Sequence, residues 1–170
     1  VSRLALALFD GLRPVHGLGD REREWLDYAA LLHDVGTHIS FERHHRHSYY
    51  LIKNGDLRGF EPTEIEVIAL SARYHRRAEP SRDHDGYGDL PGSLRRTVRV
   101  LGAILRLAES LDRSRHSMIR SLRVRTSADA LTIPRTVSRS RDPSRVVKSR
   151  RDPRCELSRC GCGPARTRSR

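Results

Sequence analysis

Four predicted helices in this chain carry apolar stripes that end on a histidine or an aspartate. Leu26, Ala30 and His33 share one face of a helix over roughly 21–35, and His44, His47 and Leu51 share a face of the next, over about 42–54. Ile65, Ile68, Ala72 and His75 form a stripe over 63–77. Leu94, Val98, Leu101, Leu105, Ala108 and Asp112 form another over 92–114. Stripes of this period predict an all-α bundle with each face turned to one core. A single buried imidazole is ordinary, but an unpaired buried carboxylate costs on the order of several kcal/mol or is forced to protonate. Several such groups aimed at one centre are most simply explained by a divalent cation. Imidazole nitrogen and carboxylate oxygen are the donors that Mg, Mn, Fe and Zn sites draw on. The candidate metal ligands are His33, Asp34, His47, His75 and Asp112, and the two oxygens of Asp34 could bridge two ions. Taken singly, each has a plainer reading: a satisfied core histidine, a solvated basic face at His44–His47, or a helix-end aspartate paired with Arg113 or Arg115.

The punctuation between stripes supports the same helices. A first amphipathic helix over 1–13 stops at Pro14, Gly17 and Gly19, which places His16 in a loop. Asp20 is placed to cap the second helix and Gly36 to end it. Asn54-Gly55 closes the third, and Thr63 to Glu66 reads as a capping box after Pro62. A polar loop over 79–92 precedes the long helix. After that helix the period changes. Leu122 and Val124, then Leu131 and Ile133, alternate across a turn near 127–129, as in a β-hairpin. The expected division is a helical domain over 1–117, a hairpin over 118–134 that begins a further subdomain, and a disordered Arg-rich tail over 135–170.

Charge divides the same way. The chain has 33 Lys/Arg against 21 Asp/Glu, a net charge of +12. Residues 135–170 hold 12 of those basic residues and 3 of the acidic ones, so residues 1–134 are close to balanced. All three cysteines, Cys155, Cys160 and Cys162, also lie in the tail. Their odd number and irregular spacing make neither a disulfide framework nor a good zinc site. The cysteine-free body fits a cytoplasmic setting. No stretch approaches the ~20 apolar residues of a membrane span. The chain has no Gly-rich phosphate loop.

The motifs resemble those of the HD superfamily of metal-dependent phosphohydrolases. Ala29-Ala30-Leu31-Leu32-His33-Asp34-Val35-Gly36 is similar to its signature, and Leu107-Ala108-Glu109-Ser110-Leu111-Asp112 to its closing helix. Tyr74-His75-Arg76-Arg77, followed by Asp85-Gly86-Tyr87-Gly88, looks like a worn form of a related phosphodiesterase segment. A narrower resemblance covers residues 1–134. His33–Ser40, His44–Ile52, Gly59-Phe60 and Ile104–Ser114 resemble the C-terminal HD-like domain of the exopolyphosphatase/guanosine pentaphosphate phosphatase family.

This resemblance implies an HD-domain-like helical bundle in a parent enzyme that removes the terminal phosphate of polyphosphate or of guanosine pentaphosphate (pppGpp). It also implies an actin-like N-terminal fold for the hydrolysis, and a cytoplasmic homodimer. The superfamily's earlier histidine, on the first helix, has no counterpart here. It would fall just before Val1, so we expect a chain cut at its N-terminus and inactive alone. The change to Arg/Ser/Pro composition after Ile133 is what a shift of reading frame near codon 134 would produce, which the nucleotide sequence there can decide.

Arg43, Arg46, Arg76 and Arg77 are the candidate phosphate contacts, with Arg95, Arg96 and Arg99 as further ones, because guanidinium matches phosphate bidentately. Two other functions fit parts of the sequence. The chain could be an HD metal phosphohydrolase in its own right. The basic tail could bind nucleic acid through phosphate charge. Specific nucleic-acid recognition is not expected, because the tail has no aromatic residue and no recognition helix.

Overall fold

The structure is a computed structural model. It describes residues 1–77 and 79–112, together with the strand residues 119–122, 125–127, 130–132, 135–137 and 148–150. The helices are α1 (Ser2–His16), α2 (Asp20–Leu32), α3 (His44–Lys53), α4 (Pro62–Arg73) and α5 (Gly92–Leu111), with a 3-10 turn at Val35–His38. The helical part is all-α, as the stripes require.

Several helix ends differ from the expected ones, each for a local reason. Helix α1 runs past Pro14 to Gly17, whose φ of 68° and N–H to Arg13 O bond of 2.9 Å close it with a left-handed cap. His16 is therefore not in a loop. It is buried on the last turn, where its Nδ1 accepts from Leu18 N–H at 2.9 Å and its Nε2 donates to Phe9 O at 3.0 Å. Both nitrogens are spent on closing the helix, so His16 is a structural residue. Helix α2 starts one residue earlier than expected, and the Glu22 carboxylate, not Asp20, caps it by accepting from Gly19 N–H at 2.8 Å. At α4, Glu64 accepts from Glu61 N–H at 2.9 Å, so the capping box lies two residues before Thr63–Glu66 and Pro62 takes the first helical position.

Helix α4 runs through the centre of the bundle: Val67, Ile68, Ala69, Leu70, Ser71 and Ala72 are all buried. Helix α5 packs its stripe of Val98, Leu101, Leu105 and Ala108 into the same core, joined by Leu4, Leu8 and Phe9 of α1 and by Trp25 and Leu26 of α2. Leu101 is fully buried, so Leu101→Ala is expected to destabilise the domain by about 2–5 kcal/mol. Chemical denaturation of the variant against the parent chain measures this.

Beyond α5 the described residues form short antiparallel strands. β2 (Arg125–Ser127) pairs with β3 (Ala130–Thr132) so that Thr126 faces Leu131, and β1 (Ile119–Leu122) pairs with β4 (Arg135–Val137). Ile119 is buried, and Arg3 Nη2 donates to its carbonyl at 2.6 Å. The stretch expected to lack regular structure thus contains two short strands, β4 and β5 (Lys148–Arg150), the latter beside β3. The rest of the expected tail, its cysteines included, lies outside the described residues. Among the described residues, no helix is long and apolar enough to cross a membrane.

Candidate metal centre

The polar residues do not sit mid-helix on apolar faces; they lie at helix ends. Helix α2 stops at Leu32, so His33 is its C-cap and Asp34 follows. Helix α4 stops at Arg73, two residues before His75. Helix α3 begins at His44, after Arg43 in a left-handed conformation of φ 55°. The last turns of helices offer backbone carbonyls to side chains; His33 and His75 use such carbonyls, and His44 uses one just before α3. His33 Nδ1 lies 2.7 Å from Ala30 O, His44 Nδ1 2.9 Å from Phe41 O, and His75 Nδ1 2.5 Å from Ala72 O. Carbonyls only accept, so each Nδ1 carries a proton, which leaves Nε2 as the nitrogen that presents a lone pair when the ring is neutral. This is the orientation that second-shell hydrogen bonds give to metal-ligating histidines.

Those lone pairs converge on Asp34. Its carboxylate lies 3.4 Å from His44 Nε2, 3.9 Å from His75 Nε2 and 3.6 Å from His33 Nε2. The two nitrogens of His44 and His75 are 3.3 Å apart. With both Nδ1 positions protonated, two bare lone pairs at that distance repel, so a proton or a cation belongs between them. Burial works against the proton. It pushes His75 down to about 4, despite the opposing bond to Ala72, so this fully buried ring is neutral near pH 7. A tetrahedral site with metal–nitrogen bonds near ~2.05 Å has ligand–ligand edges of ~3.3 Å, which matches the 3.3 Å between His44 and His75 and the 3.4 Å between His44 and Asp34, while His75 and Asp34 stand wider at 3.9 Å. These three form the cluster capable of holding a metal among the described residues.

Of the ligands expected from sequence, Asp34 and His75 are in that cluster and His33 stands beside it, its ring 5.0 Å from that of His75. His47 is not in it. The buried face of α3 is His44, His45, Ser48 and Ile52, so the imidazole that α3 contributes is His44. Asp112 is not in it either. From α5 it is Glu109 that approaches, 3.9 Å from His75 Nε2. His44 was visible in the α3 pattern, but choosing it over His47 required the start of the helix. Glu109 falls within the α5 motif and gave no separate signal.

Ser48 and Gly36 hold this arrangement. Ser48 Oγ donates to His33 O at 2.6 Å and accepts from Gly36 N–H at 2.9 Å, tying the His33–Asp34 turn to α3. Of the candidate phosphate contacts, Arg43, Arg76 and Arg77 line a small cavity of about 150 Å³ with Phe41, Glu42, His44 and His45, where Glu42 lies 3.9 Å from Arg43, and Arg46 does not line it. Burial, reinforced by the positive charges around it, pushes His45 down to about 4.

The family model for Ppx/GppA phosphatase, domain III, matches residues 1–137. A guanosine-5'-triphosphate,3'-diphosphate pyrophosphatase of Aeromonas hydrophila is 31% identical over 134 residues, covering 76% of this chain and 26% of that protein. The enzyme of the same name from Pseudoalteromonas translucida is 34% identical over 83 residues, 49% of this chain and 16% of its own length. That of Aeromonas salmonicida is 36% identical over 66 residues, 38% of this chain and 13% of its own. The chain thus spans about a quarter or less of the curated relatives it matches. With the match running from the first helix through β4, the chain belongs to the Ppx/GppA phosphatase family, in its domain III.

Proposed function

We propose that this domain serves a cytoplasmic, homodimeric phosphohydrolase that releases terminal phosphate from pppGpp or inorganic polyphosphate. Water adds to the terminal phosphorus, the bridging P–O bond breaks, and orthophosphate leaves. In this reading the hydrolysis belongs to an actin-like fold elsewhere in the enzyme, and residues 1–117 supply phosphate contacts and part of the dimer. The observation that carries the reading is the 134-residue similarity to the A. hydrophila enzyme, whose name states its substrate. Arg43, Arg76 and Arg77 around one cavity suit an anionic phosphate group. The test is orthophosphate release by the protein of the whole reading frame, supplied separately with pppGpp and polyphosphate. Activity on either is expected, with KM raised about 3–10-fold in Arg76→Ala/Arg77→Ala as charge-assisted contacts are lost. No release from either substrate refutes the proposal.

The convergence of Asp34, His44 and His75 supports a second reading, a metal-dependent phosphohydrolase active without other domains. Two imidazoles and a carboxylate suit Zn, Fe or Mn better than Mg. A bound ion there would polarise a phosphoryl oxygen and acidify a water. His33 and Glu109 stand where they could orient that water. Phosphate release by this chain alone, abolished by chelator and restored by metal, would favour this reading over the first.

A further inference from the structure

The cavity that Arg43, Arg76 and Arg77 share lies at the start of α3. The first N–H groups of a helix have no intrahelical partner and carry its positive end. His45, in that first turn, lines the cavity and is 8% exposed, yet its ring makes no hydrogen bond with any described residue. Either neutral tautomer of an imidazole carries one N–H, and burying a donor unpaired is costly. An acceptor seated in the cavity would satisfy it. The cations around the cavity are unevenly paired. Arg43 has Glu42 at 3.9 Å, but among the described residues neither Arg76 nor Arg77 is paired with a carboxylate. Arg43 and Arg77 are also the non-glycine residues with positive φ among the described residues, at 55° and 62°. Side chains rarely adopt that region, and where they do it is often at a binding or catalytic site. These two are distant in sequence and line one cavity.

Size and rim narrow the ligand. About 150 Å³ is well under the ~300–1,000 Å³ of pockets that enclose a whole organic ligand. A compact oxyanion fits, and a row of linked ones does not. Donors from three guanidiniums, a helix start and an imidazole suit the several acceptor oxygens of a tetrahedral phosphate. Phe41, on the rim, is 70% exposed, with its ring 5.6 Å from that of His44. An exposed aromatic face beside a phosphate seat can take a stacked base. We propose that this cavity seats a single phosphate group, either free orthophosphate or the end of a monoester whose aromatic part lies on Phe41. The inference rests on the reading of Arg43, Arg76 and Arg77 as phosphate contacts, and not on which part of the enzyme hydrolyses.

Chain treated with chelator, so that no ion at Asp34, His44 and His75 contributes, is titrated at physiological salt with orthophosphate and with adenosine 5'-monophosphate. Arg76→Ala/Arg77→Ala is expected to weaken both about tenfold or more. Arg77→Gly alone is expected to weaken both with little change in melting temperature, because glycine suits a φ of 62°. His45→Leu removes the buried donor and is expected to weaken both as well; should it unfold the chain, the arginine variants still decide. Arg46→Ala/Arg58→Ala removes the same charge outside the cavity and is expected to change affinity less than about twofold. Tighter binding of the monophosphate, by about tenfold and lost in Phe41→Ala, assigns the seat to a monoester. Equal affinity for both ligands, indifferent to Phe41→Ala, assigns it to free orthophosphate. No binding of either, unchanged binding in the Arg76 and Arg77 variants, or an equal loss in the control pair overturns the proposal. Hydrolysis is not measured, so failure here and failure of the whole enzyme to release phosphate remain separate results.

Discussion

Replacing Gly36 with alanine is expected to destabilise the domain by about 3 kcal/mol or more, a large part of the ~5–15 kcal/mol that holds a domain of this size together. The cause is not backbone strain. A Cβ at position 36 would overlap the His44 carbonyl oxygen and the Ser48 nitrogen, and would lie 2.8 Å from the His47 carbonyl carbon. All three are backbone atoms of α3, so no rotamer change relieves the contact. The 3-10 turn or the helix must move, which breaks the Gly36 N–H bond to Ser48 and loosens the Ser48 bond to His33. The melting temperature is expected to fall by about 6–12 °C. The same substitution at Gly17 meets no atom within 4 Å but forces alanine into φ 68°, so it costs only conformational energy, about 1 kcal/mol. Thermal unfolding of the two variants side by side decides. If Gly36→Ala melts no lower than Gly17→Ala, close packing of the turn on α3 is not what the glycine provides.

That contact also shows which parts of the fold were legible in sequence. Periodicity placed all five helices and the stripe of α5, because amphipathic burial is a property of spacing alone. It misplaced their ends, because these depend on single contacts: the left-handed cap at Gly17, Glu22 reaching Gly19, Glu64 reaching Glu61. The candidate site inherited those errors. A helix drawn to residue 35 puts His33 and Asp34 on its face; one that stops at Leu32 puts them in a turn whose direction Ser48 sets. His44 and His47 shared the stripe that ends at Leu51, so spacing could not choose between them, and the family resemblance pointed to His47. The close approach of Gly36 to α3 buries Ser48, and with it His44. No sequence period encodes a backbone contact between elements separated in the chain. The recess beside α5 was only partly legible for a similar reason. Arg96 and Arg99 stood out as candidate phosphate contacts, but spacing alone does not lay the 79–92 loop beside them.

Chain stripped of metal with chelator is expected to take up about one equivalent of zinc, and Asp34→Asn or His44→Ala to weaken that uptake about 100-fold or more, because each removes a direct ligand. Asp34→Asn is the cleaner variant, since it keeps the volume of a residue that is 30% exposed and changes the charge. His75→Ala is expected to abolish uptake as well, but it also empties a fully buried position and will lower stability without metal. His47→Ala is expected to bind zinc like the parent, because His47 is outside the cluster. Binding also shifts stability: zinc at 100 times its dissociation constant would add about 2.7 kcal/mol to the parent chain. The melting point should rise with zinc in the parent and in His47→Ala, and stay level in Asp34→Asn and His44→Ala. The contrast between His44 and His47 carries the test. Loss of zinc in His47→Ala with retention in His44→Ala would mean that α3 presents the other face, and equal uptake by all variants would mean that the ion binds elsewhere. Zinc held as expected would also account for the 3.3 Å approach of two imidazole nitrogens whose other nitrogens are already bound to the backbone.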